Sequence, residues 1–281
     1  MSTPARKRVM RTAEVVRTEH LTKSYVRVVL TGGDLASLPD LQHTDHYVKL
    51  LFAPPGADYG WPFDPDEIRA TRPRGLWPVT RTYTIRWFDR ASQQLALDFV
   101  VHGSEGLAGP WAAAARPGDS IGFMGPGGAW RPDPEADVHL LVGDESAAPA
   151  IAAALESLPP TARAQVFLEV ADAASHLPMP ETPGISVTWV HRDDHPGSYG
   201  VALSSAVRTA GVPSGRLCAF VHGNADMVKD LRRFLFLEQG VPRAAVSISG
   251  YWRTGLDEDA WQSGKRAFNE RMEQEEAQLG G

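Results

Sequence analysis

The stretch RPDPEADVHLLVGDESAAPAI, residues 131–151, is where the sequence changes character. Its opening, Arg131–Asp137, holds two prolines and three acids, residues that break helices and stay solvated, and it reads as a linker. Beyond it, Val138–Val142 is a short apolar strand and Ala147–Leu158 a helix. The alternation continues with strand Gln165–Val170, strand Ser186–Val190, helix Val201–Arg208, strand Leu217–Val221, helix Ala225–Glu238 and strand Ala244–Ile248. Strands that alternate with helices predict a parallel sheet covered on both faces. From Leu256 the chain turns polar and helix-prone. The expected divisions are therefore residues 1–132, 133–250, and 251–281 as an aromatic segment with a helical tail.

Upstream of the linker the reading is all β. Val9–Arg17, Ser24–Thr31, His46–Phe52, Arg81–Phe88 and Gln94–Val101 are short and rich in β-branched and aromatic residues. In the last of these, Leu95, Leu97, Phe99 and Val101 alternate with Ala96, Asp98 and Val100, which predicts a strand with one buried face. Short strands joined by turns such as Gly32-Gly33-Asp34 favour a closed antiparallel barrel. Residues 54–78, rich in Pro, Gly and aromatics, read as a long loop.

Composition removes several classes of function. A length of 281 residues suits two domains, and a net charge of −6 argues against general affinity for nucleic acid. Cys218 stands alone, so no internal disulfide and no cysteine-held cluster can form, and its setting in RLCAFVHG is that of a core thiol. No apolar run is long enough to span a membrane, and the basic start MSTPARKRVMR leads into no secretory signal, so the expected compartment is the cytoplasm. Neither HTDH (His43–His46) nor HRDDH (His191–His195) is read as a metal site; each is expected to be a solvated turn. No G-x-S-x-G elbow occurs, which leaves hydrolase chemistry without a foothold.

The most informative chemistry lies in RTYTIR, Arg81–Arg86. On a strand Arg81, Tyr83 and Ile85 share one face, and Thr82, Thr84 and Arg86 the other. A flavin needs a flat aromatic against its ring, a hydrogen-bond partner near N5 and positive charge at its pyrophosphate. Tyr83, Thr84 and Arg81 supply those within four residues, although an amphipathic strand with a surface arginine gives the same pattern. Further on, Gly103, Gly106 and Gly109 precede a short helical run, Pro110–Ala115. Side-chain-free backbone at a helix start suits a pyrophosphate, and an ordinary turn fits equally.

Together with PGDSIGFMGPGG, HLLVGDESAAPAI (residues 139–151) and SISGYWRTG (residues 247–255), these segments resemble the siderophore-interacting protein family, a branch of the ferredoxin-reductase-like flavoproteins. The resemblance implies a six-stranded FAD-binding barrel, then a nucleotide-binding-type α/β domain, and an activity of reducing ferric siderophores to release iron. It places Arg81, Thr82, Tyr83 and Thr84 on the flavin. Asp98, Phe99, His102, Gly103, Gly106, Gly109, Pro110 and Trp111 would lie around its phosphates and ribityl chain. The turn GLAGPWAAAA lacks the polar Ser or Thr common in the family, so some phosphate contacts are expected from backbone alone.

In the second domain Asp144, Glu145 and Ser146 follow a strand at the mouth of an open α/β sheet, where ligands bind. Two acids would repel a pyrophosphate, so they are expected to orient polar groups or a nicotinamide, and Ser146 can also cap the helix that follows. The electron donor is expected to be NADPH or NADH, with ferredoxin as the alternative. G-x-G-x-x-G is absent, and Arg192 is the candidate for a 2′-phosphate despite its neighbours Asp193 and Asp194. Tyr251 or Trp252 in GYWR, after the last predicted strand, matches the aromatic that often lies near the flavin in this class, with a pair of aromatics packing a domain interface as the alternative; Trp252 is carried forward as the candidate. Lys49, Arg131 and Arg253 are the candidates for a basic pocket that attracts an anionic ferric siderophore. No catalytic acid or base is required, and a monomer is expected; a binding protein without turnover is the rival class.

Overall fold

A computed structural model describes residues 9–103, 106–195 and 199–279. The chain divides into two compact units, Met1–Ala129 and Trp130–Gly281.

The first unit is built on β1 (Met10–His20), β2 (Tyr25–Thr31), β3 (Tyr47–Phe52), β4 (Val79–Asp89), β5 (Gln94–Val100) and β6 (Ser120–Gly127), closed in the order β1-β2-β5-β4-β3-β6. Closure leaves no unpaired edge. Alternate residues of every strand, among them Val15, Val28, Leu50, Leu97 and Phe123, fill the interior. The predicted alternation in β5 holds for Leu95, Leu97 and Phe99, but Ala96 and Asp98 on the other face are buried too. The expected loop at residues 54–78 carries a helix, α1 (Pro65–Thr71). Asp64 starts it by accepting the backbone N–H groups of Asp66 and Glu67, and Pro65 occupies the first turn, where a missing N–H costs nothing. Ahead of it, the ring of Trp61 lies on Gly122 of β6, where a Cβ would come within 2.2 Å of the indole. A second helix, α2 (Ala108–Ala114), follows β5.

The second unit is a five-stranded sheet, parallel throughout, in the order β11-β10-β7-β8-β9. Its strands are β7 (Val138–Asp144), β8 (Ala164–Val170), β9 (Ile185–His191), β10 (Leu217–Asn224) and β11 (Val246–Trp252). The helices are α3 (Ala148–Ser157), α4 (Val201–Ala210), α5 (Ala225–Arg233) and α6 (Glu258–Leu279). Leu140, Val142, Ala219 and Val221 pack with Leu203 and Val207 of α4 and Val228 and Leu231 of α5. Gly143, on the opposite face of β7, lies under Ile151 of α3. Helices thus cover both faces, as the alternation predicts.

The polar tail is docked on this unit. Trp261, Phe268 and Met272 of α6 bury themselves with Ala225, while Glu276 receives hydrogen bonds from Arg232 and Arg243. Cys218 is a buried core thiol whose sulfur accepts the Asp133 N–H at 3.4 Å, and burial pushes its pKa up. Among the described residues no helix is long and apolar enough to cross a membrane.

Candidate cofactor and substrate sites

On the barrel, the register of β3 and β4 sorts the predicted residues by face. Leu50 opposes Arg81 and Val48 opposes Tyr83, so both predicted flavin contacts lie on the interior side of the strand. Lys49 opposes Thr82 and Tyr47 opposes Thr84, so Lys49 shares the outer face with the two threonines. The Tyr83 ring is half-buried and rests on Phe99, centroids 4.2 Å apart. Phe99 lies 5.6 Å from Trp111 of α2, which lies 6.0 Å from Phe52. This aromatic run fixes the Tyr83 ring before any ligand arrives. Arg81 is held beside it, its Nη1 donating to the Thr80 carbonyl at 2.8 Å.

The glycines of the turn before α2 play different parts. Gly103 and Gly106 adopt φ of +63° and +84°, a region that disfavours a side chain, and nothing lies within 4 Å of where a Cβ would stand. Their backbone is therefore approachable. Gly109 instead lets α2 close on β5, since a Cβ there would meet the Val100 carbonyl at 3.2 Å. His102 is exposed, and Pro110 and Trp111 are half-buried at the start of α2. A pre-set aromatic ring, a guanidinium held on the same side of the strand and an open glycine turn fit a flavin dinucleotide.

Two of the expected contacts already have partners within the barrel. Asp98 accepts a bidentate pair from Arg27, 2.6 and 2.8 Å, with Arg86 at 3.9 Å, and its side chain is fully buried. It ties β2 to β5. Phe99 is wholly interior and supports the Tyr83 ring.

In the second unit the carboxyl ends of the strands converge on Asp144. Its buried carboxylate accepts Ser146 N–H at 2.9 Å and Ser146 Oγ at 2.5 Å, Asn224 N–H at 2.7 Å and Trp252 Nε1 at 2.8 Å. It links the ends of β7, β10 and β11. Burial raises its pKa, and the adjacent Glu145 raises it further. Ser146 is corrected accordingly: it does not cap α3, whose N-cap is Ala147 without a side-chain bond, because its hydroxyl goes to Asp144. Trp252 belongs to β11, two residues past Gly250, rather than following the strand. Its indole meets the edge of Tyr199 at 5.1 Å.

Arg192 does not sit in a solvated turn. It donates to both Glu145 oxygens, Nη1 to Oε2 at 2.7 Å and Nη2 to Oε1, and lies 3.6 Å from Glu169. The Tyr199 ring covers its guanidinium at 4.8 Å. Burial pushes the Glu169 pKa up, while the Gly200 N–H and Arg192 pull it down. Sequence reasoning missed Glu169 and Tyr199. An acid inside the apolar strand QVFLEV was the available signal for the first.

The basic pocket is also redrawn. Arg253 pairs with Asp226, Nη2 to Oδ1 at 3.1 Å, and stacks over Phe268 at 5.0 Å, so its charge is already answered. Arg131 is exposed beside Trp130, whose ring lies tilted against Phe220 midway along β10, centroids 4.6 Å apart. Arg253 instead follows the carboxyl end of β11. The structure does not bring these two arginines together.

The siderophore-interacting FAD-binding domain matches residues 14–130, and the siderophore-interacting protein domain matches residues 136–255. The chain belongs to the siderophore-interacting protein family. An uncharacterized protein of Mycobacterium tuberculosis is 42% identical over 270 residues, 92% of this chain and 95% of that one. A ferric vibriobactin reductase of Vibrio cholerae is 36% identical over 260 residues, 89% of this chain and 92% of that one. An NADPH-dependent ferric-chelate reductase of Escherichia coli is 29% identical over 241 residues, 85% and 91%. A siderophore utilization protein from T. fusca shares the fold at a TM-score of 0.77 and 36% identity, covering 89% of this chain and 95% of its own.

Proposed function

We propose that this protein is an FAD-dependent ferric-siderophore reductase that draws electrons from NAD(P)H and releases iron as Fe(II). The observation that carries the reading is the start of β4: Arg81 and Tyr83 on one side of the strand, with Tyr83 locked on Phe99, inside the segment that matches an FAD-binding domain. Arg81 would take the pyrophosphate, the Tyr83 ring would lie against the flavin, Thr84 would offer its hydroxyl, and Gly103 and Gly106 would supply backbone N–H groups. Bound flavin accepts two electrons together and releases them singly, which joins a hydride donor to a one-electron metal. Fe(II) has lower charge density than Fe(III), so hard oxygen ligands hold it less tightly.

The protein's own part is positional. Asp144 holds the Trp252 indole, and the carboxyl edge of β7, β8 and β9 is the crevice in which open α/β sheets take ligands. Lys49, on the outer face of β3–β4, remains the candidate for attracting an anionic siderophore. We take the protein to act as a monomer in the cytoplasm, where reduced pyridine nucleotide is held.

Purified protein should carry FAD, lose its yellow colour with NAD(P)H under anaerobic conditions, and yield Fe(II) to a ferrous chelator when a ferric siderophore is added. Failure to bind flavin after reconstitution would overturn the reading. Bleaching by reduced ferredoxin alone would reassign the donor, and stoichiometric flavin without turnover would leave a binding protein.

A further inference from the structure

NADH and NADPH differ by one group, a phosphate on the adenosine 2′ oxygen that carries close to two negative charges. A site that accepts it needs a cation with hydrogen-bond donors still to give, and arginine's planar fork serves best because it meets phosphate oxygens two at a time. A site for the unphosphorylated ribose needs an acceptor for a hydroxyl, which an acid provides.

The carboxyl ends of three adjacent strands decide which of these this protein offers. Glu145 follows β7, Glu169 lies near the end of β8, and Arg192 directly follows β9. Arg192 reaches across the end of β8 to place its fork on both oxygens of Glu145, and it stands 3.6 Å from Glu169. Its side chain is 19% exposed, against 9% for Glu145 and 1% for Glu169. One face of the guanidinium is closed by Tyr199 at 4.8 Å. Glu169 is itself held in place, accepting the Gly200 N–H at 3.0 Å on each oxygen. Asp193 and Asp194 come next in the chain, and Asp194 turns to His191 at 3.4 Å, so the carboxylates that hold Arg192 are those of Glu145 and Glu169. The bidentate geometry that would grip a 2′-phosphate is already spent on Glu145. A phosphate could recruit Arg192 only by breaking that pair, which would leave Glu145 buried and charged without its partner.

We propose that the Glu145–Arg192 pair sets nucleotide preference, so that this protein takes NADH and rejects NADPH. The inference rests on the reading that a pyridine nucleotide binds at the carboxyl edge of this sheet. Glu145 acts here as a specificity-determining residue: it withdraws Arg192 from the adenosine 2′ position and leaves net negative charge there.

Two measurements test it on the full-length FAD-loaded protein. Anaerobic flavin reduction gives kcat/KM for NADH and for NADPH, and calorimetric titration gives affinities for 2′-AMP and 5′-AMP, which need no redox chemistry. Wild type should favour NADH by about tenfold or more, the scale of one charged hydrogen-bond pair. Glu145→Ala frees the fork, and should tighten 2′-AMP relative to 5′-AMP by about tenfold and move the kcat/KM ratio toward NADPH by a similar factor. Adding Arg192→Ala should cancel both gains, a reversal that mere loosening of the fold would not produce. Should Glu145→Ala fold poorly, Glu145→Gln keeps the side chain's shape without its charge and should shift both ratios the same way. Wild-type preference for NADPH, equal use of the two nucleotides, or unchanged ratios in both Glu145 variants would overturn the proposal. If neither nucleotide reduces the flavin and neither AMP binds, while reduced ferredoxin works, the underlying donor assignment falls and the proposal with it.

Discussion

Replacing Asp144 by alanine should damage this protein in two separable ways. The wild-type carboxylate satisfies four donors, of which the Asn224 N–H is buried and the Trp252 and Ser146 groups are part-buried; Asn224 is 1% exposed and Asp144 itself 2%. A buried donor left without a partner costs about 1–3 kcal/mol, which applies in full to the Asn224 N–H and only in part to the half-buried Trp252 indole. Relief of the repulsion between Asp144 and Glu145, and water entering the vacated space, offset part of this. We expect a net loss of about 1–3 kcal/mol, measured by chemical denaturation of the full chain. The second effect is local: Trp252 loses the bond that fixes its indole against Tyr199, so flavin reduction by the nicotinamide should slow even where the protein remains folded. Trp252→Phe removes the same bond from the other side. A double-mutant cycle between Asp144→Asn and Trp252→Phe should therefore show coupling of about 1.5–3 kcal/mol, the range for a hydrogen bond to a charged group. A stability loss under about 1 kcal/mol in Asp144→Ala, with additive effects in the cycle, would show that this carboxylate is not the joint that holds the sheet's carboxyl edge.

Arg81→Ala should weaken FAD retention by about 1.5–3 kcal/mol in equilibrium dialysis, and Arg81→Lys should restore only part of it, because an ammonium cannot reproduce the two parallel bonds of a guanidinium. His222 is buried against Phe220 with its Nε2 on Ser247, and burial, with the nearby Lys265, lowers its pKa to about 3. Its folded pKa lies below the unfolded one, so the unfolded chain binds the extra proton between about pH 6.5 and 3, and stability should fall with acid by up to about 1.4 kcal/mol per pH unit across that window. His222→Phe should flatten that slope in denaturation curves taken at pH 7, 6 and 5, and an unaltered slope would refute the assignment. Burial alone would raise the Glu276 pKa, but hydrogen bonds from Arg232 and Arg243 hold it below the usual carboxylate range. That contribution is present above about pH 4.5 and lost as pH falls through the lowered value. Glu276→Ala should cost about 2–4 kcal/mol, mostly through Arg232, which is 12% exposed, rather than Arg243 at 56%. A Tm unchanged at pH 7 but shifted at pH 4 would invert that account.

What could be read from the sequence, and what could not, divides along one physical line. The strand and helix series after the linker was legible because each element carries its own period, and Val138–Val142 or Val201–Arg208 needs no distant residue to declare itself. The chemistry at the start of β4 was legible for the same reason, since Arg81, Tyr83 and Thr84 are neighbours. β6 was not legible as a strand. Gly122 and Gly127 weaken its β signal, yet they are small because the rings of Trp61 and Tyr47 lie where their side chains would stand. Only contacts with a neighbouring strand and a distant loop explain that choice. The charged residues misled most. Asp98 looked like the polar face of a half-buried strand until Arg27, paired with it across β2 and β5, accounted for its burial. Arg192 looked like one charge in a solvated run until Glu145, 47 residues earlier, took both arms of its guanidinium. A sequence states which charges a chain owns, but whether a ligand can use one depends on what the fold has already paired with it. The arginine after the third strand, taken from the sequence alone, favours NADPH, and its hydrogen bonds to Glu145 support the opposite preference.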